Sequence, residues 1–303
     1  VDGSSIQNIA SGEFENRVVN PTTSLSIITN AGGYGLSTAS YDGVSLSVAS
    51  QDTQPRGITF KSDGTKMYMI GATNDSVYQY SLSTVWDLST ASYDSVSLSI
   101  GSQDVQPTGV TFRTDGTKMY MIGYQTDSIH QYTLSTAWDL STGSYDGVSL
   151  SVASQDTIPN GLFFKSDGTK MYIVGQSSDR VFQYSLSTAW DMSTASYDSV
   201  SLYVGSQDGT PQGLFFKSDG TKMYMVGSTS DKVYQYSLST AWDMSTASYD
   251  SVSFSVASQD SEPHDIAFKS DGTKMYMAGN TTDKIFQYST SSTFAGTARI
   301  SIG

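Results

Sequence analysis

The feature that most constrains this chain is a 52-residue repeat. Asp63, Asp115, Asp167, Asp219 and Asp271 recur at that spacing without a slip, as do Trp86, Trp138, Trp190 and Trp242. The stretch from Pro55 to Asp104 is written again from Pro107, Pro159 and Pro211, and in part from Pro263. A fixed period near 50 residues with four strand-like runs per copy marks a propeller blade, a sheet that buries its faces only against neighbouring copies.

Within one copy the strands can be read in order. Strand A follows Pro-x-Gly, as in Gly57–Phe60. Asp63-Gly64 supplies the positive φ of a tight turn into strand B, Lys66–Gly71. Strand B is apolar on both faces, as a strand buried between blades must be. A polar loop ending at Asp75 leads to strand C, Val77–Tyr80. A longer loop carrying Trp86 leads to strand D, Val96–Ile100, where Val96, Leu98 and Ile100 alternate with Ser97 and Ser99.

The two ends complete each other. The last copy supplies A, B and C (Ile266–Phe268, Lys274–Gly279, Ile285–Tyr288) and then departs, with Phe294 where Trp is due. The missing D strand is the orphan run Val44–Val48, preceded by Tyr34 at the Trp column. The expected fold is therefore all-β: a five-bladed propeller over 34–294 with four antiparallel strands per blade. An N-terminal outer strand added to the C-terminal blade closes it and removes exposed sheet edges. The rival closure, by Ala298–Ile302, lacks the Tyr-Asp lead-in. Residues 1–33 read as an extension or attachment segment with strands at Arg17–Val19 and Ser24–Thr29. Residues 295–303 read as a strand or tail pairing with 17–29 or with another chain.

The net charge of −13 is a product of the repeat. All Asp residues except Asp2 and Asp265 fall in the columns of Asp42, Asp52, Asp63, Asp75 and Asp87. This balance disfavours nucleic acid and anionic membranes, which demand basic surface; neither partner is expected, nor is membrane insertion. The absence of Cys removes disulfides and Cys-ligated metals and suits an extracellular or virion setting. The start at Val1 suggests a removed leader or a longer parent chain. The acids are spread singly through turns, with no calcium-loop cluster, so no metal or other cofactor is expected. Asp63 and its copies read as turn formers, and Asp75 and its copies as acceptors for loop amides. The Trp column reads as wedges filling the gaps between diverging outer sheets.

The opening Pro-x-Gly-[VIL]-x-Phe-x-x-Asp-Gly-Thr-Lys-Met-Tyr resembles the YVTN and lactonase-like propeller repeats, five times over about 260 residues. That resemblance implies the fold and leaves function open, since such blades serve enzymes, lectins and scaffolds. The words VYQYSLSTAWDLSTASYD are similar to repeats of predicted surface and virion proteins of marine bacteria and their phages. This implies an extracellular or virion protein joined through its termini to other surface or virion subunits.

Among the copies, the A–B turn and the C–D loop hardly vary, whereas the D–A and B–C connections do. In a propeller the latter share one face, expected to surround the mouth of the central channel. After the Pro come Arg56, Thr108, Asn160, Gln212 and His264, and the B–C loops add Asn74, Tyr124, Gln125, Gln176 and Asn280. These amides and hydroxyls suit sugar hydroxyls, with Tyr124 available to stack on a ring. The primary expectation is a non-enzymatic recognition or display propeller binding a cell-surface glycan or host surface protein through this face. Loops that vary because packing does not hold them are the alternative explanation of the same pattern; purely structural decoration is the alternative function. A hydrolase centred on Glu262, His264 and Asp265 is the third reading. It meets the objection that the inner strands of the other four blades carry no carboxylate, so no catalytic residue is assigned. Asp265, replacing a Gly, is taken as a local backbone difference near the closure. His130 is taken as a core residue.

Overall fold

A computed structural model describes residues 26–31, 33–290 and 292–297, the terminal strands by their backbone alone. The expected strand Arg17–Val19 and the segment Ala298–Ile302 lie outside the described residues. The chain divides into two compact units, Ala31–Ser292 and a smaller one made of Val1–Asn30 with Thr293–Gly303. In the smaller unit, strands Ser26–Ala31 and Ser292–Thr297 form a two-stranded sheet.

The larger unit is a five-bladed propeller of four-stranded antiparallel sheets. Blade 1 runs A Pro55–Phe60, B Lys66–Gly71, C Ser76–Leu82 and D Ala91–Ser99. Blades 2, 3 and 4 begin at Pro107, Pro159 and Pro211 and repeat this order. Blade 5 takes A, B and C from Pro263–Phe268, Lys274–Gly279 and Lys284–Ser289, and D from Ser40–Ser47. The N-terminal strand pairs antiparallel with strand C from Ser40↔Ser289 to Ser47↔Lys284, so the expected closure is the one present.

The local chemistry repeats with the sequence. Gly64 takes φ +74° in the A–B turn, and the Asp63 carboxylate accepts from Thr65 N at 2.9 Å. In the C–D loop Trp86 itself has φ +62°, and Asp87 caps a short 3₁₀ turn, Leu88–Thr90, by accepting from Ser89 N. A left-handed residue in strand D (Ser95, or Gly147 in blade 2) makes a bulge that lets the long outer strand bend.

Strand B is the core of each blade: Met67, Tyr68, Met69 and Ile70 are fully buried. Its Tyr hydroxyl donates to the backbone carbonyl at the Trp column of the next blade. The bonds run Tyr68 to Trp138, Tyr120 to Trp190, Tyr172 to Trp242, Tyr224 to Tyr34 and Tyr276 to Trp86, all at 2.5–2.9 Å. Tyr34 thus fills the fifth wedge position, with Phe215 stacked on it and Phe268 tilted against it. Phe294, the residue expected at that column, falls instead in the separate two-stranded sheet.

A polar knot fastens B, C and D in every blade. Asp94 accepts from Lys66 Nζ, Gln79 Nε2 and Ser81 Oγ at 2.8–3.0 Å, while Gln79 Oε1 accepts from Leu140 N of the next blade. In blade 5 the acid is Asp42 on the N-terminal strand, bonded to Lys274, Gln287 and Ser289. Four of the five Asp columns thus anchor backbone or side-chain donors, but with one correction. Loop amides are held by the Asp52 column, where Asp52 accepts from Gln54, Thr73 and Asn74 N. Asp75 and its copies instead supply the left-handed turn into strand C (φ 46–53°), and burial, with neighbouring Asp charges second, pushes their pKa up.

Candidate functional site: the central channel

The strand A residues following Pro lie between blades, and this corrects the expectation of an exposed rosette. Thr108, Asn160, Gln212 and His264 are buried. Thr108 Oγ1 donates to Pro159 O at 2.9 Å and Asn160 Nδ2 to Pro211 O at 3.0 Å, each reaching the next blade. Gln212 Nε2 donates to Ser228 Oγ, and Arg56 Nη1 donates to His264 Nε2 at 3.1 Å across the closure. Of the B–C loop residues, Asn74 and Gln125 are exposed, while Tyr124, Gln176 and Asn280 are partly covered. Tyr124 Oη donates to Gln106 Oε1, Asn160 Nδ2 to Gln176 Oε1, and Asn280 Nδ2 to Glu262 Oε2.

Strand alternation separates the residues that sequence proximity put together. His264 points between blades, where burial pushes its pKa down, and it accepts from Arg56 as a neutral imidazole can. Asp265, the next residue, faces the axis. Its pairing register matches that of the glycines it replaces: Asp265↔Ala278 follows the same shift as Gly57↔Ile70. The backbone is therefore not different there, which corrects the sequence-based reading; only the side chain is new. His130 is buried, as expected, with Nε2 beside Thr126 Oγ1 at 3.2 Å.

The channel is nearly shut at this end. The five strands A converge so closely that a Cβ on Gly57 would lie 3.1 Å from Gly109 Cα, and one on Gly213 would lie 2.7 Å from Asp265 Cα. It widens toward the opposite face, into a cavity of about 250 Å³ that opens between the A–B turns at Ser62, Thr114, Ser166, Ser218 and Ser270. The expected mouth was therefore on the wrong face. The Trp loops and Tyr34 stand at the open end, so the invariant words of the repeat, which the sequence assigns to folding, also shape the entrance.

Two strand A columns face the lumen. The deeper holds Gly57, Gly109, Gly161, Gly213 and Asp265; the next holds Thr59, Thr111, Phe163, Phe215 and Ala267. Phe163 and Phe215 pack edge to face, 5.4 Å between centroids, and fill one side. Blades 5, 1 and 2 present only Ala267 and two Thr hydroxyls, leaving space directly above Asp265. The result is one amphipathic slot: an aromatic wall, a hydroxyl wall and a carboxyl floor. Sequence reasoning missed the Thr59 column. Its signal was available, a change of size from Ala to Phe within an otherwise regular strand.

Asp265 is enclosed by protein yet touches the lumen. Its Oδ2 accepts from Ile58 N of blade 1 at 2.9 Å and its Oδ1 from its neighbour Ile266 N at 2.8 Å. Burial outweighs these two donors and pushes its pKa up to about 7. Among the described residues, Tyr34, at the rim, is the only other titratable side chain lining the channel. Among the described residues, no three His, Cys, Asp or Glu side chains gather where they could hold a metal ion, and no helix is long and apolar enough to cross a membrane.

No family model matches the chain, and no curated protein matches it. Solved structures similar to it include a candidate 6-phosphogluconolactonase from Bacteroides uniformis (16% identity, TM-score 0.48, covering 74% of this chain and 64% of that one). A functionally unknown protein from Desulfotomaculum acetoxidans gives 12% identity, TM-score 0.49 and coverage of 75% and 66%. The periplasmic gluconolactonase of Pseudomonas aeruginosa gives 15%, 0.43, 78% and 66%. The chain spans less than two thirds of the length of each of these structures.

Proposed function

We propose that this protein is a binding propeller that takes one small, mainly apolar ligand into its central channel from the Trp-loop face. The observation that carries this reading is the asymmetry of the lumen: Phe163 and Phe215 fill one side, and the other stays open over Asp265, the one carboxyl group in the wall among the described residues. Concave, largely apolar cavities with a few placed polar groups are the usual form of small-molecule sites. A fivefold frame with one such slot offers one site, not five. Presentation of this module on a virion or cell exterior belongs to the same proposal and is supported by the Cys-free composition.

Ala267→Phe, which would extend the aromatic filling to the open side, tests the reading. In thermal-shift and tryptophan-fluorescence titrations with a panel of small aromatic and alicyclic compounds, the native chain is expected to bind and the folded variant to lose binding. Exposed-loop changes Asn74→Ala and Gln125→Ala are expected to leave it unaltered. Retention in Ala267→Phe with loss in the loop variants would overturn the channel reading in favour of the B–C face.

The hydrolase reading has one supporting observation: a carboxyl group with pKa about 7 in an apolar cavity is poised for general acid–base work. Turnover of a lactone panel that disappears in Asp265→Asn would establish it; absence of turnover in the native chain leaves the channel as a binding site.

A further inference from the structure

The channel reading leaves open what the ligand carries at its inner end. We infer that the floor of the slot receives the ammonium group of a small primary amine bearing an apolar ring. This rests on the channel being the binding site.

Four observations lead there. A carboxylate offers about four lone-pair positions. Ile58 N and Ile266 N occupy one on each oxygen of Asp265, leaving acceptor capacity on the side of the lumen. The wall above holds no basic side chain; it consists of Thr59, Thr111, Ala267, Phe163 and Phe215, so a negative charge at Asp265 has no partner in the channel. Burying an ionised carboxylate without a counter-charge is unfavourable, and a ligand cation relieves that directly. The surrounding surfaces also tolerate a cation: aromatic faces attract it, and hydroxyl oxygens accept its remaining N–H bonds. The chain's net charge of −13 favours the approach of a cation over that of an anion.

The size of the space limits the rest of the molecule. A cavity of about 250 Å³ lies just below the usual range of small-molecule sites, which suits a single ring on a short linker. Phe163 and Phe215 would lie along one face of that ring, and the Trp-loop rim would surround its outer edge. The ring supplies the apolar burial and the ammonium the orientation.

Calorimetric titrations at pH 8 with benzylamine, benzyl alcohol and toluene test the inference in the native chain and in Asp265→Asn. Benzylamine should bind the native chain about tenfold or more tighter than benzyl alcohol, the scale of one hydrogen-bonded charge. Asp265→Asn should bring benzylamine down to the level of the alcohol and leave toluene nearly unchanged. Should Asp265→Asn fold poorly, Asp265→Gly serves instead, since four blades already carry Gly at that position. If the alcohol binds as tightly as the amine, or the substitution moves neither, the ammonium assignment is overturned while the channel reading stands. If none of the three binds the native chain, both fall.

Discussion

The two ends of the central channel are built from the same five strands and behave oppositely. At the Pro-x-Gly end the residues differ from copy to copy; Thr108, Asn160, Gln212 and His264 are buried, and Thr108, Asn160 and the Arg56–His264 pair bond across blades. At the Trp-loop end the residues are nearly identical, and the channel is open. Variation between repeats is therefore not by itself a sign of exposure in this molecule. Close to the axis all five copies of one position meet each other, so five identical large or charged side chains would collide or repel. One Asp among four Gly, and two Phe with two Thr and an Ala, resolve that crowding. Farther out each copy meets only its neighbour, in the same surroundings five times, and one residue serves all five.

The comparison can be broken most severely at the open end. Trp190→Ala removes a buried wedge stacked on Phe164, 5.2 Å between centroids, and should lower unfolding free energy by about 3–5 kcal/mol in chemical denaturation. A loss under 1 kcal/mol would mean the Trp column is not structural.

Asp265 predicts a stability that depends on pH. Its folded pKa of about 7 lies above the ordinary 3.8, so its contribution is fully present below about pH 4 and is lost as pH rises through 7. The native chain should lose at most about 4 kcal/mol relative to Asp265→Asn between pH 4 and pH 8. The difference between the two curves isolates this group from the surface Asp residues, such as Asp63, whose bonded carboxylates titrate near 2 and act in the opposite sense. Parallel curves would contradict the enclosed position of the carboxyl.

At the shut end, Gly213→Val directs a side chain at Asp265 Cα, a backbone atom that cannot yield, and should cost about 1–3 kcal/mol or more in thermal unfolding. Thr108→Val, which removes the bond to Pro159 O at nearly constant shape, should cost about 1 kcal/mol. The smallest effect belongs to the rim: breaking the exposed Arg113–Asp115 pair at 3.2 Å with Arg113→Ala should change stability by less than about 0.5 kcal/mol.

Much of the fold was legible because the period is strict and each blade solves the same packing problem. The turn at Asp63-Gly64, the apolar strand B and the orphan strand ending near Val48 all follow from local pattern. The site was less legible for a geometric reason. Which of two alternating strand A columns faces the axis cannot be read from residues that are apolar or small on both sides. Arg56, Thr108 and Asn160 look like loop residues in the sequence, yet strand A begins at Pro55 and carries them inward between blades. Asp265 stood out as a departure from Gly, and the lack of carboxylates on the other inner strands could be read from the sequence, but that its side chain faces the lumen beneath the Thr59 column only the assembled ring displays.

The central claim is a single asymmetric site reached from the Trp-loop face, and a crystal soaked with 4-bromobenzylamine tests it most directly through the bromine's anomalous signal. The account predicts one peak, in the lumen between Phe163, Phe215 and the Thr59–Thr111 wall, with the amine toward Asp265. Peaks repeated at the five B–C loops, with the lumen free of the compound, would contradict it.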